Sequence, residues 1–372
     1  MNALARLWAW WWISALVVML AGILALMGPL GWYKPQSRPT ALPALGADLN
    51  GTTVSGISSG AYMAGQFQLA HADIVSGAGI IAGGPYGCAE SAFADSVPGG
   101  GSVFLNASRA VSGCMLDSLA MWGIPDADLL ADKARSLART HEIGDIAQVV
   151  NDRLYLFSGG KDTVVKPAIV AAAADFYREL GVPDSNVQFV NNIPAGHAFI
   201  TTDRGLACSE SRSPYIADCD YDQAGSMLGH LVGVLKPPLE PLAGQFIEFD
   251  QDAFTKDLYD HGLGPSGVVF VPEACRGEAG CRVHVAFHGC QQNRASVGDA
   301  FIKDSGLVRW AATNRLILLF PEVSPGALNP QGCWDWWGYT GRDYLTRGAP
   351  QIRAVRAMLD RLAGSTRSAS RN

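Results

Sequence analysis

Clustered positive charge is missing from this chain. Its 28 Lys and Arg residues are scattered, 34 Asp and Glu residues outnumber them, and the formal net charge is -6. Nucleic-acid binding needs a basic footprint, so that class is disfavoured. Cys-x-x-Cys pairs are also missing, which leaves no support for a thiolate metal site. Charge is absent altogether from residues 7–33. A helix of that length spans roughly 40 Å, enough to cross a bilayer with tilt. Trp10, Trp11 and Trp12 stand near one end and Trp32 and Tyr33 near the other, like two aromatic belts. No Ala-x-Ala-like cleavage site is clear. Residues 1–33 are therefore read as an uncleaved signal anchor, with a cleaved signal peptide as the alternative. Arg6 on one side and Lys34 and Arg38 on the other leave orientation open.

The whole chain has 372 residues and 48% hydrophobic content, ample for one large core. Residues 34–47, rich in Pro and Ala, look like a tether. Residues 48–364 read as one α/β domain, followed by a polar tail, 365–372. All eight cysteines follow the apolar segment. With an export signal, that even number implies disulfides in an oxidising, extracytoplasmic compartment. Cys208 with Cys219 and Cys275 with Cys281 are short-range candidates; the full connectivity is not readable from sequence alone.

Chemistry concentrates at Gly56-Ile57-Ser58-Ser59-Gly60. The β-prone run Thr52-Thr53-Val54 precedes it, a helical pattern follows over 61–72, and an apolar strand over 75–82. That context turns Gly-x-Ser-x-Gly from a common string into a nucleophile elbow with Ser58 at its apex. Ser59 does not fit the spacing. The alternative is an ordinary Gly/Ser loop. Further on, the strand 153–158 runs into a glycine turn holding Asp162, and the strand 187–190 into a Gly-flanked turn holding His197. Ser58, Asp162, His197 is the chain order of the α/β-hydrolase triad: His197 as base, Asp162 orienting it. A turn aspartate and a loop histidine are the bland alternatives. The strand 282–287 leads into His288-Gly289-Cys290, the usual place of the second oxyanion amide. His284 and His288 share one face of that strand, but no further ligand spacing supports a metal. A helix is expected over 301–314, a buried strand over 316–321 and a last helix over 350–362.

In the usual α/β-hydrolase the His-Gly strand precedes the nucleophile strand; here it follows the histidine. The order therefore reads as a circularly permuted α/β-hydrolase, with a mostly parallel central sheet and helices on both faces. Together GISSGAYMAGQF, GAGIIAGGPYGCA, SGGKDTVV, IPAGHAF, VAFHGCQQN and GCWDWWGYT resemble the poly(3-hydroxybutyrate) depolymerase family, in its permuted single-domain type. They spread over 51–340.

The resemblance implies an extracellular carboxylesterase acting on insoluble polyester, with no cofactor or metal. It implies Ser58, Asp162 and His197 as the triad and the amides of Ser59 and Cys290 as the oxyanion hole. It also implies a Cys290–Cys333 disulfide, which leaves Cys88 to pair with Cys114. A substrate role is suggested for Trp334, with Trp336 and Trp337 beside it; all three are otherwise core aromatics. The expected substrate is poly(3-hydroxybutyrate) or its oligomers, and the expected state is a monomer. An anchored enzyme would reach solid polymer poorly, which makes soluble oligomers a plausible substrate. There is no separate polymer-binding module or Ser/Thr-rich linker. The alternatives are a general or feruloyl-type carboxylesterase and a non-catalytic anchored binding protein.

Overall fold

The computed structural model describes residues 39–90, 101–118 and 123–365. The anchor segment, the start of the tether and the tail beyond 365 lie outside the described residues. Among the described residues no helix is long and apolar enough to cross a membrane.

Four strands open the chain: β1 (Asp48–Ile57), β2 (Val75–Ile81), β3 (Arg153–Phe157) and β4 (Val187–Val190). Three short ones follow, β5 (Phe199–Thr201), β6 (Leu206–Ala207) and β7 (Ile216–Asp218). The last four are β8 (Gly244–Asp250), β9 (Ser266–Pro272), β10 (Arg282–Phe287) and β11 (Leu316–Phe320). The main sheet has eight strands in the order β4-β3-β2-β1-β10-β11-β9-β8, and β5-β7-β6 form a small second sheet. From β4 to β11 neighbours run parallel; β9 runs antiparallel to both its neighbours, β11 and β8. Starting the chain at β8 and ending it at β4 recovers the α/β-hydrolase order, so the fold is that hydrolase circularly permuted.

The central strands are apolar on both faces, as covered parallel strands must be. In β3, Leu154 and Leu156 pack into one core cluster and Tyr155 and Phe157 into the other. The helices Ser59–Ala70, Pro167–Glu179 and Pro350–Ala363 cover the first face; Gln223–Val232 and Leu307–Thr313 cover the second. Pro167 and Pro350 each begin a helix, where their missing N–H has no intrahelical partner anyway. The helix Ser59–Ala70 is buried on every side. It accordingly has no solvent-facing polar stripe, and its buried Gln66 and Gln68 are hydrogen-bonded inside the protein.

Two expectations are corrected. Residues 39–47 do not hang as a tether. Thr40 bridges to β8, donating its N–H to Glu248 O (3.0 Å) and accepting from Asp250 N–H (2.8 Å). Leu42 is buried, and the N–H groups of Leu45 and Ala47 donate to Leu362 O (2.9 and 3.0 Å). Pro and Ala suggest a loose chain, but the bonds to β8 and to the last helix fix it. These bonds also bring the two ends of the described chain together, the condition that makes permutation tolerable. The second correction is at 301–314, where two short helices, Ala300–Asp304 and Leu307–Thr313, are divided at Gly306 (φ +82°).

The elbow glycines are enforced by close approach. A Cβ on Gly56 would lie 2.1 Å from Gly60 O, and one on Gly60 would lie 2.3 Å from Phe287 O. Neither backbone atom can swing aside. Gly60→Ala is expected to lower stability by at least ~2 kcal/mol, measured by chemical denaturation; an unchanged midpoint would show that β10 yields at no cost.

Candidate active site

Ser58 sits where β1 gives way to its helix. Its backbone is held at φ 57°, ψ -123°, and its side chain makes no capping bond to the helix. A non-glycine residue at positive φ is strained, and such strain persists only where surrounding structure enforces it. Here Ser58 N–H donates to Ile81 O (2.9 Å), and Ser58 O accepts from Ala61 and Tyr62. The hydroxyl is thus presented clear of the helix.

Register decides what stands beside it. β1 pairs with β10 so that Gly56 lies opposite Phe287. Just past the two strand ends come Ser58, after Ile57, and the turn His288-Gly289-Cys290. A Cβ on Gly289 would lie 3.4 Å from Ser58 Cβ, which measures the closeness of the approach. The N–H of Ser59, at the first helical position, has no partner in its own helix. Among the described residues neither it nor the Cys290 N–H donates to another backbone group.

Asp162 and His197 follow the adjacent strands β3 and β4. Their loops are stitched together: Gly160 N–H donates to Ile193 O (2.8 Å) and Lys161 N–H to Ala195 O (2.9 Å). Asp162 Oδ1 accepts from the N–H groups of Val164 (2.8 Å) and Val165 (2.9 Å). Its Oδ2 lies 2.8 Å from His197 Nδ1. With the carboxylate as acceptor, Nδ1 carries the proton and Nε2 is left as a base. The His197 N–H donates to Ser211 Oγ (2.7 Å), and Tyr215 stands edge-on to the imidazole at 6.2 Å. Ser211 and Tyr215 both lie in the loop closed by Cys208–Cys219.

Ser58, His197 and Cys290 line one cavity of about 350 Å³. Its walls are largely apolar. Ala107, Ala110 and Val111 come from the helix Gly101–Cys114, Met115 follows it, and Leu328, Trp336 and Trp337 lie opposite. The disulfides are Cys88–Cys114, Cys208–Cys219, Cys275–Cys281 and Cys290–Cys333. The last ties the turn His288-Gly289-Cys290 to the aromatic loop.

That loop is wound around Asp335. Its Oδ1 accepts from the N–H groups of Trp337, Gly338 and Tyr339, and its Oδ2 from Thr340 N–H and hydroxyl. The tryptophans then divide. Trp336 stacks on Tyr62 (4.1 Å, 9°), and Trp337 is edge-on to it; both reach the cavity. Trp334 does not. It is fully buried, edge-on to Phe287 at 4.9 Å, and its backbone N–H donates to Ser59 Oγ (3.3 Å). The substrate contact suggested for Trp334 is therefore corrected: the loop's turn around Asp335 carries it under the elbow, away from the cavity that Trp336 and Trp337 line.

The two strand histidines do not converge on a common ligand position. His284 is held by Thr53 Oγ1 at Nδ1 and Ser55 Oγ at Nε2, both 2.8 Å, and burial lowers its pKa to about 3. His288 lies beyond the strand end. Among the described residues no group of His, Cys, Asp or Glu is placed to hold a metal ion.

Several contributors were not legible in the sequence. The helix Gly101–Cys114 lacks a clear stripe, and Tyr215 sits in a polar loop. Gln292 was at least visible inside VAFHGCQQN. Its Oε1 accepts from Gly289 N–H (2.8 Å), while its Nε2 donates to Pro214 O (3.0 Å) and Tyr215 O (3.2 Å).

A permuted α/β-hydrolase sheet carrying serine, carboxylate and imidazole beyond the ends of β1, β3 and β4 defines the class. No family model matches the chain. It is 40% identical over 330 residues to a poly(3-hydroxybutyrate) depolymerase of Delftia acidovorans, covering 87% of this chain and 62% of that protein. This chain thus spans less than two thirds of that relative's length. It is 33% identical over 339 residues to a polyhydroxybutyrate depolymerase of Talaromyces funiculosus, covering 86% of this chain and 91% of that one. Among solved structures, a PHB depolymerase from Penicillium funiculosum matches with TM-score 0.76 and 31% identity, over 87% of this chain and 99% of that one. A PHB depolymerase complexed with an R3HB trimer matches with TM-score 0.76 and 32% identity, over the same shares. The chain belongs to the poly(3-hydroxybutyrate) depolymerase family.

Beside His288 lies Glu322, buried, its Oε2 accepting from Arg294 N–H (2.9 Å). Burial pushes its pKa up to about 8. In the unfolded chain it ionises near ~4.3. The unfolded state thus loses its proton first, and stability falls as pH rises from there to about 8. Gln in its place keeps the acceptor and removes the titration. The stability advantage of Glu322→Gln over the parent should be small at pH ~5 and grow by a few kcal/mol toward pH ~8. Denaturation curves at both pH values check this; a pH-independent difference would contradict it.

Proposed function

We propose that this protein is a serine esterase that hydrolyses short-chain 3-hydroxyalkanoate polyester, poly(3-hydroxybutyrate) above all, and its oligomers. The observation that carries the reading is Ser58 sharing an apolar cavity with His197, whose imidazole is bonded to the buried Asp162. The relatives' names supply the substrate class. His197 Nε2 takes the Ser58 proton as Oγ attacks the ester carbonyl, then gives it to the leaving alkoxide. Asp162 stabilises the imidazolium formed in between. Water, deprotonated by the same imidazole, releases the acyl group and restores Ser58. The Ser59 and Cys290 amides receive the carbonyl oxygen as it becomes O⁻; one such donor is worth about 2.7–4 kcal/mol. Trp336 and Trp337 wall the cavity for an apolar chain.

The four disulfides support an oxidising, extracytoplasmic location. The single-domain organisation, the monomeric state and the membrane attachment through residues 1–33 belong to the same proposal. If the segment is an anchor, membrane fractions of cells making the full chain should yield its N-terminal peptides by mass spectrometry. Their absence from otherwise covered protein would mean a cleaved signal.

Activity is tested on amorphous poly(3-hydroxybutyrate) and, in parallel, a soluble p-nitrophenyl ester. Release of 3-hydroxybutyrate oligomers should vanish in Ser58→Ala and fall about 10⁴-fold in kcat in Asp162→Asn. Cleavage of the soluble ester alone would replace this reading with a general or feruloyl-type esterase. No turnover of either, with no labelling by a fluorophosphonate, would leave a binding protein.

A further inference from the structure

The peptide joining Gly289 to Cys290 is planar and trans, so its C=O and N–H point in opposite directions. Whatever holds the carbonyl aims the amide. His288 Nδ1 lies 2.8 Å from Gly289 O. A carbonyl only accepts, so Nδ1 carries the proton. Val323 N–H lies 3.2 Å from His288 Nε2. An amide only donates, so Nε2 carries none. The ring is a neutral tautomer bonded at both nitrogens. It is 1% exposed and packs against Trp334 at 5.6 Å.

We propose that His288 is a positioning residue for the oxyanion hole: its Nδ1–H holds the Gly289 carbonyl and thereby aims the Cys290 N–H at the substrate's carbonyl oxygen. This rests on the proposed role of the Cys290 amide. The same bond polarises the peptide and strengthens its N–H as a donor. A second ring proton on Nε2 would face the Val323 N–H, donor against donor. The titratable group facing Nε2 is Glu322, with Oε2 at 3.8 Å. Arg294, behind Glu322, is paired with Glu248 and Asp299. Burial favours the neutral forms of both His288 and Glu322. The ring can therefore act as a fixed donor throughout the reaction, unlike His197.

The turn has a second holder that separates the two claims. Gln292 Oε1 accepts the Gly289 N–H from the other side. The experiment compares His288→Leu, His288→Gln, His288→Asn and Gln292→Leu in the full chain. Asn can place an amide donor where Nδ1 stood; Leu and Gln cannot. The readouts are kcat and KM on p-nitrophenyl butyrate, the inhibition constant of a trifluoromethyl ketone, and a thermal melt. That ketone forms a hemiketal oxyanion on Ser58 and so reports on the hole directly.

His288→Leu and His288→Gln should lower kcat about 10- to 100-fold, less than outright loss of a donor. KM should stay within about twofold, and the ketone should weaken in step with kcat. His288→Asn should recover most of both. A packing role alone would lower the melt and the active fraction while leaving kcat per labelled site and ketone affinity intact. If His288→Leu does not fold, the comparison of Gln with Asn decides. Unchanged kcat and ketone affinity at His288, with both lost in Gln292→Leu, would overturn the role of His288 and keep the Cys290 amide. No effect from any variant would overturn the Cys290 amide as well.

Discussion

Everything at the site depends on how closely the end of β1 approaches the end of β10. The parallel register sets Gly56 against Phe287, and past that pair the strands deliver Ser58 and Gly289 almost into contact. No side chain fits between Gly60 and the Phe287 carbonyl. The approach makes the strained serine possible and leaves two backbone amides without backbone acceptors. Both follow from sheet pairing, whose cost is spread over the whole core.

A second theme is the use of neutral or fully bonded polar groups beneath the cavity. His284 is held between two hydroxyls, His288 between a carbonyl and an amide, and Asp335 by five donors. Burying an unpaired charge is expensive, so each such group either bonds fully or stays uncharged. The result is a rigid floor beneath Ser58 and His197. The disulfide Cys290–Cys333 joins that floor to the aromatic wall, and Cys208–Cys219 closes the loop that supports His197 from the other side.

The permuted chain order leaves this arrangement intact because the site uses strand ends and not chain order. The usual first strands of the hydrolase sheet, β8 to β11, are made last, yet β10 still lies next to β1. Residues 39–47 complete the change by bonding to β8 and to the last helix near Leu362. What composition marked as linker is part of the seam.

Much of this was legible in the residues. The Gly-x-Ser-x-Gly turn, the strand-end positions of Asp162 and His197 and the His-Gly turn are local, because each needs particular backbone freedom beside a short apolar strand. The family motifs carried the rest of the sheet. The tryptophans were not separable, since three aromatics within four residues look alike until the loop's turn around Asp335 sends Trp334 under the elbow and Trp336 toward the cavity. Nor could the sequence show that Gly101–Cys114 forms a cavity wall, or that His288 bonds its own neighbour's carbonyl. Those facts depend on contacts between residues far apart in the chain. Local chemistry is written in adjacent residues; which atoms face one another across the cavity was decided by the packing of the sheet and its loops.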